Sequence, residues 1–312
     1  MSRAHTSLTR VQMMGYLALC LIWGSTWFAM RVAVREIPPL KAAAVRFLIA
    51  ALLLLASLLL RKAKWPQGRR QWNAAMVLSL TVIAVPYGLL FWAEQYVSSS
   101  IGALLFSAMP LLVALMTPLM LGRTVPRNAV FAMLLGFGGL ATLFWKGELT
   151  ASARSLWGGL AVLSAVLMSA WSVVYAKTRL QDVDPVIATG LQSLFGCIVL
   201  FWGNWALESH RTTTWSRTSV IAILFLAVFG SAAAFAIYYW LLKHMQPYQL
   251  STLTLVVPII AVVEGSLLGH EAVPLLMIVA MVLVLGSVGA VLLSDADAKR
   301  QDPIVLLAGD AE

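Results

Sequence analysis

The chain has 312 residues, of which 61% are hydrophobic and only 11% are charged, and its mean hydropathy is +0.87. Soluble domains carry about a quarter charged residues, so this composition excludes a soluble globular protein and predicts a membrane protein. The formal net charge of +9 comes from Lys and Arg residues placed at the ends of apolar segments, which argues against a nucleic-acid partner.

Ten apolar segments of about 20 residues follow one another, each long enough to cross a hydrocarbon layer about 30 Å thick. Backbone polar groups in lipid must be hydrogen-bonded within the segment, so the segments are predicted to be helices. The predicted fold is an all-α membrane protein with ten transmembrane helices. The segments are residues 12–34, 40–60, 72–93, 98–121, 127–145, 155–176, 186–206, 219–242, 249–270 and 273–293.

The second half of the chain repeats the first at an offset of about 148 residues. Matched pairs are Trp23 with Trp171, Arg31 with Arg179, Trp92 with Trp240 and Pro110 with Pro258. Five crossings per half force the second copy to enter from the opposite side. The sequence therefore predicts two inverted five-helix repeats, residues 11–146 and 155–294, and a flexible cytoplasmic tail, 295–312. Transporters are commonly built this way, with the substrate site at the repeat interface.

Lys and Arg residues are concentrated on the side of the membrane where the N-terminus lies. The connection after the second segment, from Arg61 to Arg70, supplies most of this excess. Because basic connections stay in the cytoplasm, both termini are predicted to be cytoplasmic. The two cysteines, Cys20 and Cys197, lie within helices and indicate neither a disulfide framework nor a metal site.

An aromatic stripe on the first helix is a candidate wall of a central cavity. Its residues recur at spacings of three and four, which places them on one helical face. Packing between helices or an interfacial aromatic belt would explain the same pattern. The substrate-binding candidates on the first helix are Tyr16, Trp23 and Trp27, those on the sixth are Met168, Trp171 and Tyr175, and the others are Tyr87, Phe91 and Tyr239.

Two prolines at matched positions, Pro110 and Pro258, fall inside the fourth and ninth helices. Proline removes a backbone hydrogen bond and kinks a helix. Matched broken helices are a sequence sign of a transporter site, so both residues are further substrate-binding candidates. A fixed structural bend is the alternative.

Few ionisable residues lie inside the membrane segments. Glu264 of the ninth helix is a candidate for proton coupling or cation binding, because a buried intramembrane acid is costly. An ion pair with Arg46 of the second helix is the alternative interpretation. Arg31 and Arg179 are gate candidates at opposite mouths, unless they extend to lipid headgroups. Glu94, at the end of the third helix, is expected to be solvated.

The chain shows none of the motifs that carry catalysis or ATP hydrolysis. It has no P-loop, no HExxH and no GxSxG, and its four histidines are scattered at helix ends. We therefore predict no catalytic residue, no metal site, no cofactor and no enzyme. A membrane-embedded enzyme would need clustered acids or histidines at one membrane face.

Several motifs resemble the EamA family of the drug/metabolite transporter superfamily. They are Trp23-Gly24-Ser25-Thr26-Trp27, Arg46-Phe47-Leu48-Ile49-Ala50, Ala108-Met109-Pro110, and Val257-Pro258 with Gly269-His270-Glu271. The chain departs from the family at Arg123, where a glutamate is expected, and at Leu194, where the repeat would place an arginine.

The resemblance implies export of amino acids, related metabolites or drugs across a bacterial-type inner membrane. It also implies that helices one, three, four, six, eight and nine surround the cavity. The leading hypothesis is a secondary exporter of small organic metabolites that works by alternating access, and the alternative is a multidrug exporter. Small molecules and membrane lipids are the expected partners, proton coupling stays open beside uncoupled diffusion, and the protein is expected to be a monomer or a homodimer.

Overall fold

The computed structural model describes residues 9–60, 63–97, 99–144, 152–269, 279 and 282–292. These residues form helices and no strand, which confirms the predicted all-α class. Within these ranges, seven helices are long and apolar enough to cross a membrane. The predicted tail 295–312 and residues 273–278 of the last predicted segment lie outside the described residues.

The described residues form ten helical segments that follow the predicted ones closely, and we label them α1 to α10 in chain order. Their bounds are α1 Arg10–Val34, α2 Pro39–Ser57, α3 Gly68–Ala93, α4 in two pieces Ser99–Phe106 and Met109–Leu121, α5 Arg127–Phe144, α6 Ala153–Arg179, α7 Pro185–Glu208, α8 Arg217–His244, α9 in two pieces Pro247–Ser251 and Leu253–Gly269, and α10 Val282–Leu292.

Side-chain caps fix where several helices begin. Thr9 and Gln12 form a reciprocal capping box at the start of α1, with distances of 3.2 and 2.9 Å between side-chain oxygens and backbone nitrogens. Ser152, Asp184 and Ser216 accept hydrogen bonds from the first turns of α6, α7 and α8. Each cap satisfies a backbone N–H group that has no partner within its helix.

Helices α3 and α8 each contain a π-helical turn, which the sequence analysis did not anticipate. The turns span Ser79–Ala84 and Val228–Ala233, positions related by nearly the same offset as the sequence repeat. π-helical turns often occur at functional sites. Both helices therefore have a widened backbone in the middle of the bundle.

Helix packing pairs each half of the chain with the other. Helix α1 packs against α8 and α9, α6 packs against α3 and α4, and α2 packs along α7. Because α1 corresponds to α6 in the repeat, the first two packing arrangements are counterparts of each other. We call the end of the bundle where α1 begins the near end, and the end where α1 finishes the far end.

The outer surface of the bundle is apolar. Large side chains such as Leu21 and Phe28 on α1 are more than half exposed. Exposed tryptophans occur at both ends: Trp65 and Trp72 at the near end, and Trp157, Trp202 and Trp205 at the far end. Tryptophan is enriched at membrane–water interfaces, so the two groups are arranged as aromatic belts.

Candidate functional site

A chamber lies in the middle of the bundle between the two halves. It offers about 80 Å³ to the centres of water molecules, which is room for several of them. Its lining comes from α1, α3, α4, α6, α8 and α9, the six helices that the family resemblance implies. The lining residues are Trp23, Thr26, Trp27, Met30, Val82, Tyr87, Leu90, Phe106, Met109, Ser169, Ser172, Val173, Ala176, Phe235, Tyr238, Tyr239, Ser251, Leu253, Thr254 and Val257.

Aromatic rings form a continuous wall on one side of the chamber. Trp23 contacts Phe235 and Tyr238 at centroid distances of 5.6 and 5.3 Å. Tyr87 meets Phe235 edge-to-face at 6.1 Å, and in the far half Trp27 packs against Phe106 at 5.9 Å. Such rings offer flat apolar surface with few conformations to lose.

Among the residues that the structure describes, the lining contains no Asp, Glu, Lys, Arg or His, so its described polar groups are neutral. The hydroxyl groups of Thr26, Ser251 and Thr254 donate to carbonyls of their own helices. Tyr239 donates to Gln192 at 2.7 Å. The buried hydroxyl of Tyr238 has no hydrogen-bond partner within the described ranges, so it is available to a molecule in the chamber.

Four of the substrate-binding candidates predicted from the sequence line this chamber: Trp23, Trp27, Tyr87 and Tyr239. Tyr16 lies closer to the near end, where its hydroxyl is 2.8 Å from the Thr252 hydroxyl. Three other candidates are buried between helices and do not line the chamber: Phe91, Pro110 and Pro258.

The predicted stripe on α6 does not face the chamber. Met168, Trp171 and Tyr175 are half-buried, and the rings of Trp171 and Tyr175 stack on each other at 4.7 Å. The chamber face of α6 carries smaller side chains one position further along, Ser169, Ser172, Val173 and Ala176. One residue rotates a helix by about 100°, so a stripe chosen for its aromatic residues misses this face.

The two matched prolines occupy different places in their helices. In α4 the helix is interrupted at Ser107 and Ala108, and Pro110 is the second residue of the next piece. In α9 the interruption is at Thr252, and Pro258 lies inside the continuous piece that follows. Proline fits the first turn of a helix without losing a hydrogen bond, so the backbone of α4 is opened before Pro110 rather than by it.

Side chains of the central helices bind the π-helical turns of the opposite half. The Trp23 indole on α1 donates to the Gly230 carbonyl of α8 at 3.3 Å. In the counterpart arrangement, the Ser172 hydroxyl on α6 is 3.1 Å from the Thr81 carbonyl and 2.8 Å from the Thr81 hydroxyl of α3. Both chamber walls are therefore connected to backbone groups that the π turns leave open.

Arg46 is fully buried and holds the π turn of α8. Its Nε donates to the Ser231 hydroxyl at 2.7 Å and its Nη2 donates to the Gly230 carbonyl at 3.0 Å. The guanidinium carbon lies 4.7 Å from the centre of the Tyr87 ring. The side chain of Glu264, the predicted partner of Arg46 and candidate coupling residue, lies outside the described residues.

Glu94 is buried at the far end, contrary to the expected solvation. Only 5% of the residue is exposed, because it ends α3 where that helix packs against α6. The Ser99 hydroxyl donates to its Oε2 at 3.0 Å. Burial raises the pKa of the Glu94 carboxyl to about 8, against the opposing effects of Ser99 and the Arg31 cation. A hydroxyl residue five positions later, Ser99, is the signal in the sequence that could have indicated a hydrogen-bonded, buried carboxyl at Glu94.

The gate candidates lie at opposite ends of the bundle. Arg31 is in the last turn of α1 at the far end, where its charge acts on Glu94. Arg179 is in the last turn of α6 at the near end, with its guanidinium carbon 5.5 Å from the Tyr175 ring centre. Nearby, the Lys177 ammonium donates to the Leu242 and Met245 carbonyls at the end of α8.

Tyr16→Phe is expected to lower the free energy of unfolding by about 1 kcal/mol, because it removes one buried hydrogen bond to Thr252. The purified protein in detergent should melt about 2–4 °C lower, since shifts of that size follow from 1 kcal/mol in chains of this order of length. Tyr96→Phe is the control, because Tyr96 shows a ring contact with Trp92. An equal melting temperature for Tyr16→Phe and the wild type would contradict the assignment.

Comparison with known proteins places the chain among membrane transporters. The sequence profile of the EamA-like transporter family matches it twice, at residues 11–145 and 156–293. The chain is similar to the uncharacterized inner membrane transporter YedA of Escherichia coli K12, with 33% identity over 81% of each chain. It is also similar to Protein PagO of Salmonella typhimurium, with 30% identity over 87% of this chain and 90% of PagO.

A solved crystal structure shares the fold, with a TM-score of 0.75, 18% identity, and coverage of 91% of this chain and 99% of that one. The family profile covers most of the residues of each half. Together with the apolar helices, these matches identify a multi-pass integral membrane protein. The chain belongs to the EamA-like transporter family.

Proposed function

We propose that the protein is a secondary transporter that exports small organic metabolites, amino acids or related compounds, across the inner membrane. The observation that carries this proposal is the chamber, because it lies between the two halves and is lined by helices of both. Alternating access would expose such a chamber to one side of the membrane at a time. The naming of YedA as an inner membrane transporter supports the location.

The inverted repeat supplies the mechanism in this proposal. The two profile matches, the counterpart packing of α1 and α6, and the paired π turns support a duplicated five-helix unit. Rocking one unit against the other would open the near or the far end. With both termini in the cytoplasm, the near end is the cytoplasmic mouth and the far end faces outward.

The chemistry of the lining supports substrates that are neutral overall and carry a flat or apolar part. Aromatic walls favour planar groups, and neutral hydroxyls can orient a polar head. The same aromatic surface favours the second candidate function, export of lipophilic drugs. The two candidate functions differ in their use of the unpartnered Tyr238 hydroxyl: a polar metabolite would bond to it, whereas a lipophilic drug would not need it.

Tyr238→Phe is expected to weaken binding of a polar metabolite about fivefold, because one hydrogen bond to the ligand is worth about 1 kcal/mol. Binding of a lipophilic cation should change much less. The matched control is Tyr96→Phe, which also removes one tyrosine hydroxyl but lies outside the chamber lining, where its ring contacts Trp92. The measurement is thermal stabilisation of each purified variant by a panel of amino acids, their analogues and lipophilic dyes.

Flux into proteoliposomes tests the function itself. Compounds that stabilise the protein should exchange across the membrane, faster than in liposomes without protein. Absence of flux for every stabilising compound would overturn the transporter proposal. Stabilisation by dyes alone, unaffected by Tyr238→Phe, would select the drug exporter.

A further inference from the structure

Glu94 occupies a position from which it can control the far end of the chamber. It lies one helical turn beyond Leu90, which lines the chamber. Its side chain is enclosed where the end of α3 packs against α6, and Ser99 at the start of α4 donates to it. Carboxyl groups are rarely buried without a cation, and the structure shows no ion pair for Glu94 within the described ranges.

We propose that Glu94 is a proton-binding site, and that binding of a proton from the outer side closes the far end of the chamber. The inference rests on the proposed alternating access and names the ion that controls its outer gate, the proton. The step is the association of one water-derived proton with one carboxylate oxygen, and it changes no other bond.

The direction follows from the cost of burying charge. An ionised carboxylate is poorly tolerated in an enclosed apolar place, whereas the neutral acid is not. The conformation described here holds the carboxyl buried, and its pKa of about 8 lies above the ordinary value of 4.5. A conformation that hydrates Glu94 would have an ordinary pKa, so protonation favours the buried arrangement and ionisation favours the open one.

The described groups around Glu94 do not titrate in the same pH range, so the proton is assigned to the Glu94 carboxyl. Arg31 of α1 is the charged group that acts on it, and Ser99 of α4 is its hydrogen-bond donor. Helix α6 meets this region through Gly158, which faces Val97. Arg211, in the connection after α7, is engaged with Gln95 at 2.9 Å and with Glu208 at 3.7 Å.

An export cycle follows from this arrangement. In the outward-open state Glu94 is hydrated and ionised. It can therefore take up a proton as the substrate leaves. The neutral acid then favours closure of the far end, which is the condition for opening of the near end. Reopening of the far end releases the proton to the same side, so Glu94 controls the outer gate by pH and carries no proton through the membrane.

The first test is infrared titration of the full-length protein in lipid, with the proton as the only ligand. The band of the protonated carboxyl should disappear with a midpoint near pH 8, about the pKa of Glu94. The component that titrates near pH 8 should be absent in Glu94→Gln, which keeps only the bands of the other carboxyl groups. Glu36→Gln is the matched control, because the partly exposed Glu36 carboxyl at the same end has its pKa lowered by hydrogen bonds from Ser216 and Ser219.

The second test is hydrogen exchange of the backbone in residues 28–34 and 101–106, expressed as protection relative to intrinsic exchange. In the wild type, protection should fall up to tenfold for each pH unit between the ordinary value of 4.5 and about 8 and should level off above that, because opening releases a proton only where the closed conformation is protonated and the open one is ionised. Glu94→Gln should show no such slope, while Glu94→Asp and Glu36→Gln should keep it.

A wild-type slope retained in Glu94→Gln, or a flat wild-type profile, would overturn the proton site. Both tests are independent of flux. A normal titration of Glu94 with no transport would therefore reject the transporter proposal and keep the proton site. Transport that does not depend on pH, with no titration of Glu94, would reject the proton site and keep the transporter proposal.

Discussion

Arg46→Ala is expected to be the most destabilising single change in the chain, lowering the free energy of unfolding by about 3–5 kcal/mol. Two hydrogen bonds from a charged donor are lost, each worth about 1.5–3 kcal/mol. The missing side chain also leaves a cavity, which adds its own cost. The measurement is the melting temperature and the folded yield of the purified protein in detergent.

The physical reason lies in the π turn of α8. Its Gly230 carbonyl accepts from both Arg46 and Trp23, and its Ser231 hydroxyl accepts from Arg46. Without the guanidinium, the Ser231 hydroxyl loses its donor, and of the two side-chain donors to the Gly230 carbonyl only the more distant Trp23 indole remains. Loosening of this turn should displace Trp23 and with it one wall of the chamber.

Graded substitutions at the same position separate charge from shape. Arg46→Lys keeps a cation but cannot bind two groups at once, because an ammonium lacks the planar fork of the guanidinium. Arg46→Leu introduces the residue that the repeat has at Leu194, filling much of the volume without donating. We expect stability to fall in the order Arg, Lys, Leu, Ala. Arg46→Ala within about 1 kcal/mol of the wild type would contradict the role assigned to the guanidinium.

The bounds of the helices, and the identity of the six helices that enclose the chamber, could be anticipated from the sequence for two different reasons. Segment length and hydropathy depend only on the thickness of the membrane, so the bounds of α1 or α7 are local properties. The choice of lining helices came from the family resemblance, whose motifs at Trp23 and Arg46 fix the order of the segments.

The orientation of each helix was harder to anticipate. Trp171 and Tyr175 look like a chamber wall because they are aromatic and regularly spaced, yet the chamber side of α6 carries Ser172 and Ala176. Small residues permit close approach to α3 and α4, and that requirement comes from the partner helices. Burial of Glu94 likewise depends on tertiary packing, which a residue at a helix end does not reveal.

Gly102→Ala is expected to have a large effect that acts directly on the chamber. A Cβ atom at this position of α4 would lie 2.5 Å from Cζ3 of Trp27, closer than van der Waals contact allows. The Trp27 ring is 95% buried and packed against Phe106, so it can move only by entering the chamber. We expect a cost of about 1–3 kcal/mol, as for other overpacked interiors.

The shape of the chamber should change with it. Displacement of the Trp27 indole would narrow the space between α1 and α4, and binding of the largest compounds should weaken by about tenfold or more, which corresponds to about 1.4 kcal/mol. The control is Gly138→Ala in α5, where a Cβ atom meets nothing within 4 Å. That variant should bind and fold like the wild type, or gain slightly from the better helix propensity of alanine.

A compensating change makes the argument specific. Trp27→Phe removes the outer part of the indole, including Cζ3, so Gly102→Ala should cost much less in its presence than in the wild type. A double-mutant cycle on melting temperature and on ligand binding measures this coupling. If Gly102→Ala costs as much stability and binding in the Trp27→Phe background as in the wild type, the glycine serves helix packing in general. A strong coupling between the two changes would show that Gly102 keeps the Trp27 ring out of the space where a substrate has to fit.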